Sequence, residues 1–353
     1  MKQDIKNITI EELADYLNSK GEKAYHAKQI ANWVYKKNVF DFGEMTDISL
    51  QLRERLRNDF IIGRLELREE KLSQIDSTRK FLFRLKDGKL IESVLIHNIN
   101  RLTACLSTQV GCKFGCVFCA SGARGFIRNL DTGEIVNQLQ SIIYILKDNK
   151  EQKKILNQRV NNVVFMGMGE PLDNYENLIK AIRIINHPFG LNIGARKITI
   201  STCGLAEKIK KLAQENIQVE LSVSLHASND KLRNELMPIN KRYPIKELIS
   251  VCKQYSIDTK RIVTFEYLLI KDVNDRKENL KELIQLLRGF RWKVNLIIYN
   301  PFKGGKWQPS PLERAILFQK QLKMANIIAT IRQSKGEDIE AACGQLFLKN
   351  YEA

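Results

Sequence analysis

From residue 101 onward the chain alternates strand-like and helix-like runs, and no other feature of the sequence restricts its fold as much. Strand-like runs stand at 102–108, 162–166, 197–201, 218–225, 262–270, 294–299 and 328–332. Segments of helical periodicity separate them at 131–147, 174–186, 205–214, 244–256, 275–288 and 311–325. The first of these places Ile135, Leu139, Ile142 and Leu146 on one face. Strands alternating with helices of this length pair in parallel through crossover connections. The expected fold is therefore α/β, a complete or partial β/α barrel. In such barrels chemistry gathers at the C-terminal ends of the strands. Cys112, Gly169-Glu170, Ser201, Ser224-Leu225-His226 and Asn300 each fall at or just after a predicted strand end.

The first hundred residues follow other patterns. Thr9-Ile10-Glu11-Glu12 has the form of a capping box and precedes Leu13, Tyr16 and Leu17 at helical spacing. Ala27, Ile30, Ala31 and Val34 form a second helical stripe, and Leu50 to Phe60 reads as a third helix. Residues 1–72 are thus expected to form a small helical domain dense in Lys and Arg. Phe81, Phe83 and Leu85 then alternate, Asp87-Gly88 marks a turn, and Leu90 to Ile96 is a second strand-like run, which makes 73–100 a β-hairpin linker. The core is expected over 101–346 and a tail over 347–353, with a polar loop at 147–158.

At 353 residues and 44% hydrophobic composition the chain builds a core without metal or disulfide staples. Its longest apolar run is about five residues, far below the roughly 20 that span a bilayer. The start, Met1-Lys2-Gln3-Asp4-Ile5-Lys6, has no apolar h-region. A cytoplasmic protein with no membrane partner is expected. The 57 Lys and Arg exceed the 40 Asp and Glu, giving a net charge of +17. That charge suits a polyanion, most often nucleic acid, and it equally suits a solvated basic surface.

Of the seven cysteines, Cys105, Cys112, Cys116 and Cys119 crowd together, while Cys203, Cys252 and Cys343 stand apart. An odd, clustered set in a chain without an export signal reads as metal or redox chemistry. Cys112-Lys-Phe-Gly-Cys116-Val-Phe-Cys119 is a C-x3-C-x2-C motif. Three thiolates on one tight loop hold three irons of a [4Fe–4S] cube and leave the fourth open to a small molecule. A structural zinc site wants four ligands, so the competing assignment is a zinc knuckle completed by a distant cysteine. Cys252 sits in an apolar helical pattern with Leu248, Ile249, Val251 and Tyr255 and reads as core.

This motif, after the first strand of a β/α repeat, resembles the radical S-adenosylmethionine (SAM) superfamily, and Gly167-Met-Gly-Glu-Pro171 matches its SAM-gripping segment after the second strand. The segments Cys105-Leu-Ser-Thr-Gln-Val-Gly-Cys112, Ser201-Thr-Cys-Gly, Ser224-Leu-His226, Leu236-Met-Pro-Ile-Asn240, Tyr299-Asn-Pro301 and Asp338-Ile-Glu-Ala-Ala-Cys-Gly-Gln-Leu346 narrow it. Together they resemble the RlmN/Cfr family of radical SAM RNA adenosine methyltransferases over nearly the whole chain. Pro171 with Asp173-Asn174 points to the RlmN branch, and Cys203 stands where Ser or a small residue is expected.

The resemblance implies a partial (β/α)6-type radical SAM barrel, a [4Fe–4S] cluster on Cys112, Cys116 and Cys119, and two SAM molecules per turnover. It implies SAM contacts from Gly169, Glu170, Ser201, Ser224, Leu225, His226 and Asn300. Cys343 becomes the S-methylcysteine intermediate. Cys105 removes the ring proton and then forms a transient disulfide with Cys343, which needs Cα atoms within roughly 7 Å. Glu92 is a candidate proton acceptor if its strand buries the face of Leu90, Val94 and Ile96, and it is solvated if the buried face is Ile91 and Leu95. The implied partners are 23S rRNA, tRNA and a one-electron reductant such as flavodoxin or ferredoxin. Arg124, Arg128, Lys241-Arg242 and the lysines 20, 23, 28, 36 and 37 are candidates for phosphate contact. A Cfr-like enzyme acting on carbon 8 of adenosine, and a non-enzymatic zinc-containing RNA-binding protein, are the alternatives.

Overall fold

The computed structural model describes residues 2–99, 101–123, 125–148, 159–302 and 304–346. Arg124, most of the polar stretch at 147–158 and the 347–353 tail lie outside them. The N-terminal unit opens with β1 (Gln3–Asp4) and three helices, α1 (Ile10–Ser19), α2 (His26–Ala31) and α3 (Leu50–Asp59), and closes with β2 (Phe60–Ile61), which pairs in parallel with β1. The capping box at the start of α1 is formed: Glu12 N–H donates to Thr9 Oγ1 (3.2 Å), and Thr9 N–H donates to the Glu12 carboxylate (2.8 Å). The helix α2 runs directly into a π-helical turn at Asn32–Lys37.

One ten-stranded sheet makes up the rest. Its first three strands, β3 (Glu66–Leu72), β4 (Arg79–Arg84) and β5 (Leu90–Asn98), are an antiparallel meander, and β5 pairs antiparallel with β6 (Arg101–Cys105). The expected hairpin is therefore present, and residues 66–72, grouped on the sequence with the helical segment, add a third strand to it. A small two-stranded excursion follows β6, formed by β7 (Gln109–Gly111) and β8 (Phe126–Asn129), with the short helix α4 (Ala120–Ala123) between them.

The βα units then run in order: α5 (Thr132–Asp148), β9 (Val160–Phe165), α6 (Tyr175–Asn186), β10 (Ile198–Thr202), α7 (Ala206–Ala213), β11 (Glu220–Ser224), α8 (Asp230–Leu236), α9 (Ile245–Thr259), β12 (Thr264–Leu269), α10 (Lys277–Leu287), β13 (Lys293–Ile298), α11 (Leu312–Met324) and β14 (Ile328–Arg332). The strand order is β14-β13-β12-β11-β10-β9-β6-β5-β4-β3, and every neighbour from β14 to β6 is parallel. With β14 and β3 at opposite edges, this is an open barrel of (β/α)6 type extended by a meander.

The N-terminal unit docks on α5. Lys6 is fully buried, and its ammonium donates to Gly63 O (2.8 Å) and Asn137 Oδ1 (2.5 Å). Burial pulls its pKa down to about 8. Asn7 accepts from Gly133 N–H at the start of α5 (2.7 Å). Among the described residues no helix is long and apolar enough to cross a membrane.

Candidate active site

The three motif cysteines sit on the loop between β7 and α4. Gly111 makes the loop possible: its φ is +79°, and a Cβ there would lie 2.0 Å from Gly125 O, so only glycine fits. Cys112 N–H donates to Gly125 O (2.8 Å), and Cys119 N–H donates to Cys116 O (3.1 Å). All three are partly exposed and line a cavity with about 990 Å³ of empty space, its open mouth included. Burial raises the Cys112 thiol to about 12, with the Cys119 charge adding to it, and burial with the Cys119 and Cys112 charges raises Cys116 well above the usual range. Thiols that resist ionisation together need a bound cation to become ligands, and soft sulfur donors on one short loop fit an iron–sulfur cube. Among the described residues no three His, Cys, Asp or Glu side chains converge on a single-ion site, and a cube, with each thiolate on a different iron, does not ask for one.

Opposite the cysteine loop, the ends of β9, β10 and β11 supply the second wall. Gly169 (φ +96°) turns the chain against Gln109, where a Cβ would meet the Gln109 side chain at 2.5 Å. Glu170 follows, buried, with one carboxylate oxygen accepting from Leu172 N–H (3.0 Å) and the other from Cys203 N–H (2.7 Å). Desolvation raises its pKa against these bonds. Ser201 and Ser224 line the same cavity.

His226 also lines it, in a left-handed conformation (φ +53°). Its Nδ1 accepts from Leu268 N–H (3.0 Å), and Phe118 packs edge-on at 4.7 Å. With Nδ1 an acceptor, the neutral ring carries its proton on Nε2. Burial and then Arg233 push its pKa down to about 3, so it stays neutral. Leu225 is fully buried and is not among the lining side chains; its carbonyl accepts from Arg233 Nε (3.1 Å).

A second cavity fills the barrel interior and shares Met166, Glu266, Ile297, Arg332 and Cys343 with the first. Its wall is polar, including Thr103, Asn162, Thr199, Ser222 and Asn295, unlike the apolar layers that usually fill a barrel. Cys343 stands where the two cavities meet. It is exposed, yet the walls around it desolvate the thiol and raise its pKa, while Arg332 opposes that. Cys105, at the end of β6, is buried; its thiol is pushed up to about 12 by burial and by Cys343, and Arg332 again opposes the rise. The two distant cysteines are thus electrostatic neighbours beside one guanidinium.

Asn300 faces the barrel interior. Its amide donates to the carbonyl of Cys343 (3.3 Å), and its oxygen accepts from Ser334 Oγ (2.7 Å). Glu92 is buried, 3.1 Å from Lys80 Nζ, and lines neither of these two cavities. Both faces of β5 are covered, Ile91 and Leu95 as well as Glu92 and Val94, so the solvated alternative does not hold.

Three residues of the site escaped the sequence: Arg332, beside both distant cysteines, Glu266 and Arg233. Glu266 of β12 lines both cavities; Oε1 accepts from Ser222 Oγ (3.1 Å) and Asn295 Nδ2 (3.0 Å), while Oε2 is buried with no hydrogen-bond partner among the described residues. A carboxylate flanked by Phe265 and Tyr267 in an apolar strand was its signal. Arg233 is fully buried and donates to the carbonyls of Cys203 (2.8 Å), Ser224 (3.0 Å) and Leu225 (3.1 Å), tying the ends of β10 and β11 together.

Lysines 20, 23, 28, 36 and 37 are exposed on the N-terminal unit, and Lys241 and Arg242 are exposed beyond α8. Arg128 is held by Glu134 (2.7 Å) and Asp87 (2.7 Å).

Two family models match the chain: the ribosomal RNA large subunit methyltransferase N-terminal domain over residues 3–62, and the radical SAM superfamily over residues 106–287. A probable dual-specificity RNA methyltransferase RlmN from Thermotoga neapolitana is 48% identical over 347 residues, 98% of each chain. The chain belongs to the RlmN family of radical SAM methyltransferases. An RlmN relative from Thermoanaerobacter sp. (strain X514) is 46% identical over 343 residues, 97% of each chain. The crystal structure of a radical SAM methyltransferase from Sphaerobacter thermophilus matches with a TM-score of 0.90 at 43% identity, covering 98% of this chain and 99% of that one. Membership of the radical SAM superfamily implies, in general, a [4Fe–4S] cluster and SAM as cofactors.

Proposed function

We propose that the protein methylates carbon 2 of adenosine in RNA: in 23S rRNA at the peptidyl-transferase centre, and in tRNA at the adenosine 3′ of the anticodon. One observation carries the reading. The three-thiol loop, Cys105 and Cys343 all meet at one end of the parallel strands, beside Arg332 and a polar, unfilled barrel interior. The names of the RlmN relatives and the proline at 171 support carbon 2 over carbon 8.

Carbon 2 of adenine is electron-poor and cannot attack a sulfonium, so its methylation needs a radical route. Cys112, Cys116 and Cys119 would hold the cluster by three of its irons. When bound, the cluster would supply the electron that splits SAM to the adenosyl radical, the electron itself coming from flavodoxin, ferredoxin or a similar donor. Glu170, Ser201, Ser224 and the Nε2–H of His226 present acceptors and donors to SAM within the cavity. Cys343 takes a methyl group from a first SAM, for which its thiol must ionise, and Arg332 favours that. Loss of a hydrogen atom to the adenosyl radical from the second SAM leaves a methylene radical on Cys343 sulfur, which adds to carbon 2. The adduct gives up one electron, back to the oxidised cluster, and its C2 proton to the Cys105 thiolate; Cys105 releases that proton to solvent and, as thiolate again, attacks Cys343 sulfur. The carbon–sulfur bond breaks, a disulfide forms, the carbon is protonated to methyl, and an external dithiol reduces the disulfide. The exposed lysines of the N-terminal unit suit RNA phosphates, and the target base must leave its stack to reach Cys343.

Reconstituted enzyme, SAM and reductant, given 23S rRNA and tRNA synthesised without modifications, should yield 2-methyladenosine by nucleoside mass spectrometry. Exclusive 8-methyladenosine would move the protein to Cfr-like chemistry, and a colourless zinc protein on anaerobic purification would remove the radical route.

A further inference from the structure

The segment that carries Cys343 is tied down on both sides. On its N-terminal side it lies against the turn between β3 and β4. Asp338 accepts from Ser73 Oγ (2.7 Å) and Gln74 N–H (3.0 Å), and Asp76 accepts from Gly336 N–H (2.9 Å) and Thr78 N–H (3.0 Å). Gly336 has φ +68°, and a Cβ on it would sit 2.8 Å from Thr78 Cγ2, so the approach is too close for any other residue. On the C-terminal side Asn300 holds the Cys343 carbonyl, Ala120 N–H donates to Gly344 O (2.8 Å), and Gln345 donates to Pro301 O (2.7 Å).

The third tie runs through the sheet. Lys80 and Glu92 share a face of the β4–β5 ladder, where Lys80 opposes Val94 and Leu82 opposes Glu92. Both side chains are buried. Lys80 Nζ lies 3.1 Å from Glu92 Oε1 and donates to the Glu340 carbonyl, also at 3.1 Å. Glu340 belongs to the same short segment as Cys343. A buried ammonium needs a counter-charge, and its bond to a carbonyl is charge-assisted. Glu92 is the counter-charge beside Lys80 inside the sheet, and Lys80 reaches the carrier loop.

We propose that the β3–β4 turn and the buried Lys80–Glu92 pair form a latch that fixes Cys343 at the junction of the two cavities, with Glu92 a positioning residue that acts through Lys80. The inference rests on the reading of Cys343 as methyl carrier. A carrier must receive a methyl group, give up hydrogen and meet a base from one place, and small displacements at such a centre cost large factors in rate.

The test compares reconstituted wild type with Asp338→Ala, Lys80→Met, Glu92→Leu and the double variant Lys80→Met/Glu92→Leu. The double variant replaces the pair by apolar volume, a change the fold tolerates better than one unpaired charge; Asp338 is exposed and its loss leaves the core intact. Readouts are amide hydrogen exchange over 336–346, S-methylation of Cys343 by mass spectrometry, and the kcat and KM of methylation of unmodified RNA. Exchange over 336–346 should quicken about tenfold or more in the double variant and in Asp338→Ala, and kcat should fall by a similar factor with KM for RNA unchanged. The effects of Lys80→Met and Glu92→Leu on kcat should not add in the double variant. Unchanged exchange in the double variant overturns the latch, as does full activity of Lys80→Met beside a dead Glu92→Leu, which would make Glu92 act on its own. A wild-type protein without a methyl group on Cys343 would overturn the carrier reading instead, and the exchange comparison would still decide the latch.

Discussion

The carboxylate of Glu170 and the backbone of Cys203 are joined by a 2.7 Å hydrogen bond from the Cys203 N–H. The bond fastens the turn after β9 to the turn after β10, and Leu172 N–H on the other carboxylate oxygen completes the clamp. Each oxygen accepts one N–H and keeps a further lone pair, so the acid is locked in orientation before any ligand arrives. Cys203 contributes through its main-chain N–H, which any residue but proline supplies, so a cysteine can stand where the family pattern suggests serine.

Glu170→Gln should therefore be costly although it is isosteric. An amide has one acceptor oxygen, and its NH2 group would face an N–H. A buried donor left unpaired costs about 1–3 kcal/mol. SAM affinity, measured anaerobically by equilibrium binding, should fall about tenfold or more, because about 1.4 kcal/mol is a factor of ten. Cys203→Ser keeps the main-chain bond, and its affinity should remain within about twofold of wild type. Equal losses in the two variants would show that the clamp does not set the site.

Replacing Cys112, Cys116 or Cys119 by Ala should abolish iron loading, since a three-thiol site has no spare ligand. Gly111→Ala should do nearly the same with all three thiols intact, because its Cβ would enter the space of Gly125 O at 2.0 Å and its φ of +79° disfavours any side chain. Iron and sulfide content with the visible absorption spectrum are the checks. A Gly111→Ala protein with a full cluster would mean that the loop adapts.

The strand–helix alternation was legible because each βα unit buries its own stripe, and periodicity records that burial directly. The ends of those strands, and with them the cysteine loop, Glu170, Ser201, Ser224 and His226, could be placed on the same ground. The strand β3 was not legible, since Glu66–Leu72 is rich in charge and lies at a sheet edge where one face pattern is not enforced. Lys80 and Glu266 were illegible for another reason. Their surroundings come from segments far apart in the chain, and a buried charge looks like a surface charge until its partner is known. Asn300, which the resemblance offered as a SAM contact, shows the same dependence on distant segments, since its amide reaches the carbonyl of Cys343.

The neutral imidazole of His226 makes a pH prediction. Its folded pKa is about 3 against an ordinary value of 6.5, the shift coming from burial and then from Arg233. Below pH 6.5 the unfolded chain takes up a proton that the folded chain refuses, so stability is full above that value and falls as pH drops toward the folded pKa. The slope approaches about 1.4 kcal/mol per pH unit. His226→Asn keeps an acceptor for Leu268 N–H and tolerates the positive φ. Urea unfolding at about pH 7.5 and about pH 5.5 should show wild type losing more stability on acidification than His226→Asn; parallel losses would mean that the imidazole protonates in place.

The two distant cysteines should separate cleanly by phenotype. Cys343→Ala removes the methyl carrier: it should still load iron, acquire no protein methyl group and leave RNA unmodified. Cys105→Ala keeps the carrier and loses the thiol that would take the C2 proton and attack the Cys343 sulfur. Without that attack the carbon–sulfur bond of the adduct has no easy route to break: Cys112, Cys116 and Cys119 would be held by the cluster, and Cys252 is fully buried in α9. RNA should therefore accumulate on Cys105→Ala through the methylene of Cys343. A denaturing gel should show a slow protein–RNA species in Cys105→Ala alone, abolished by adding Cys343→Ala. Its absence from Cys105→Ala while SAM is cleaved, or its presence in Cys343→Ala, would end this division of roles between the thiols.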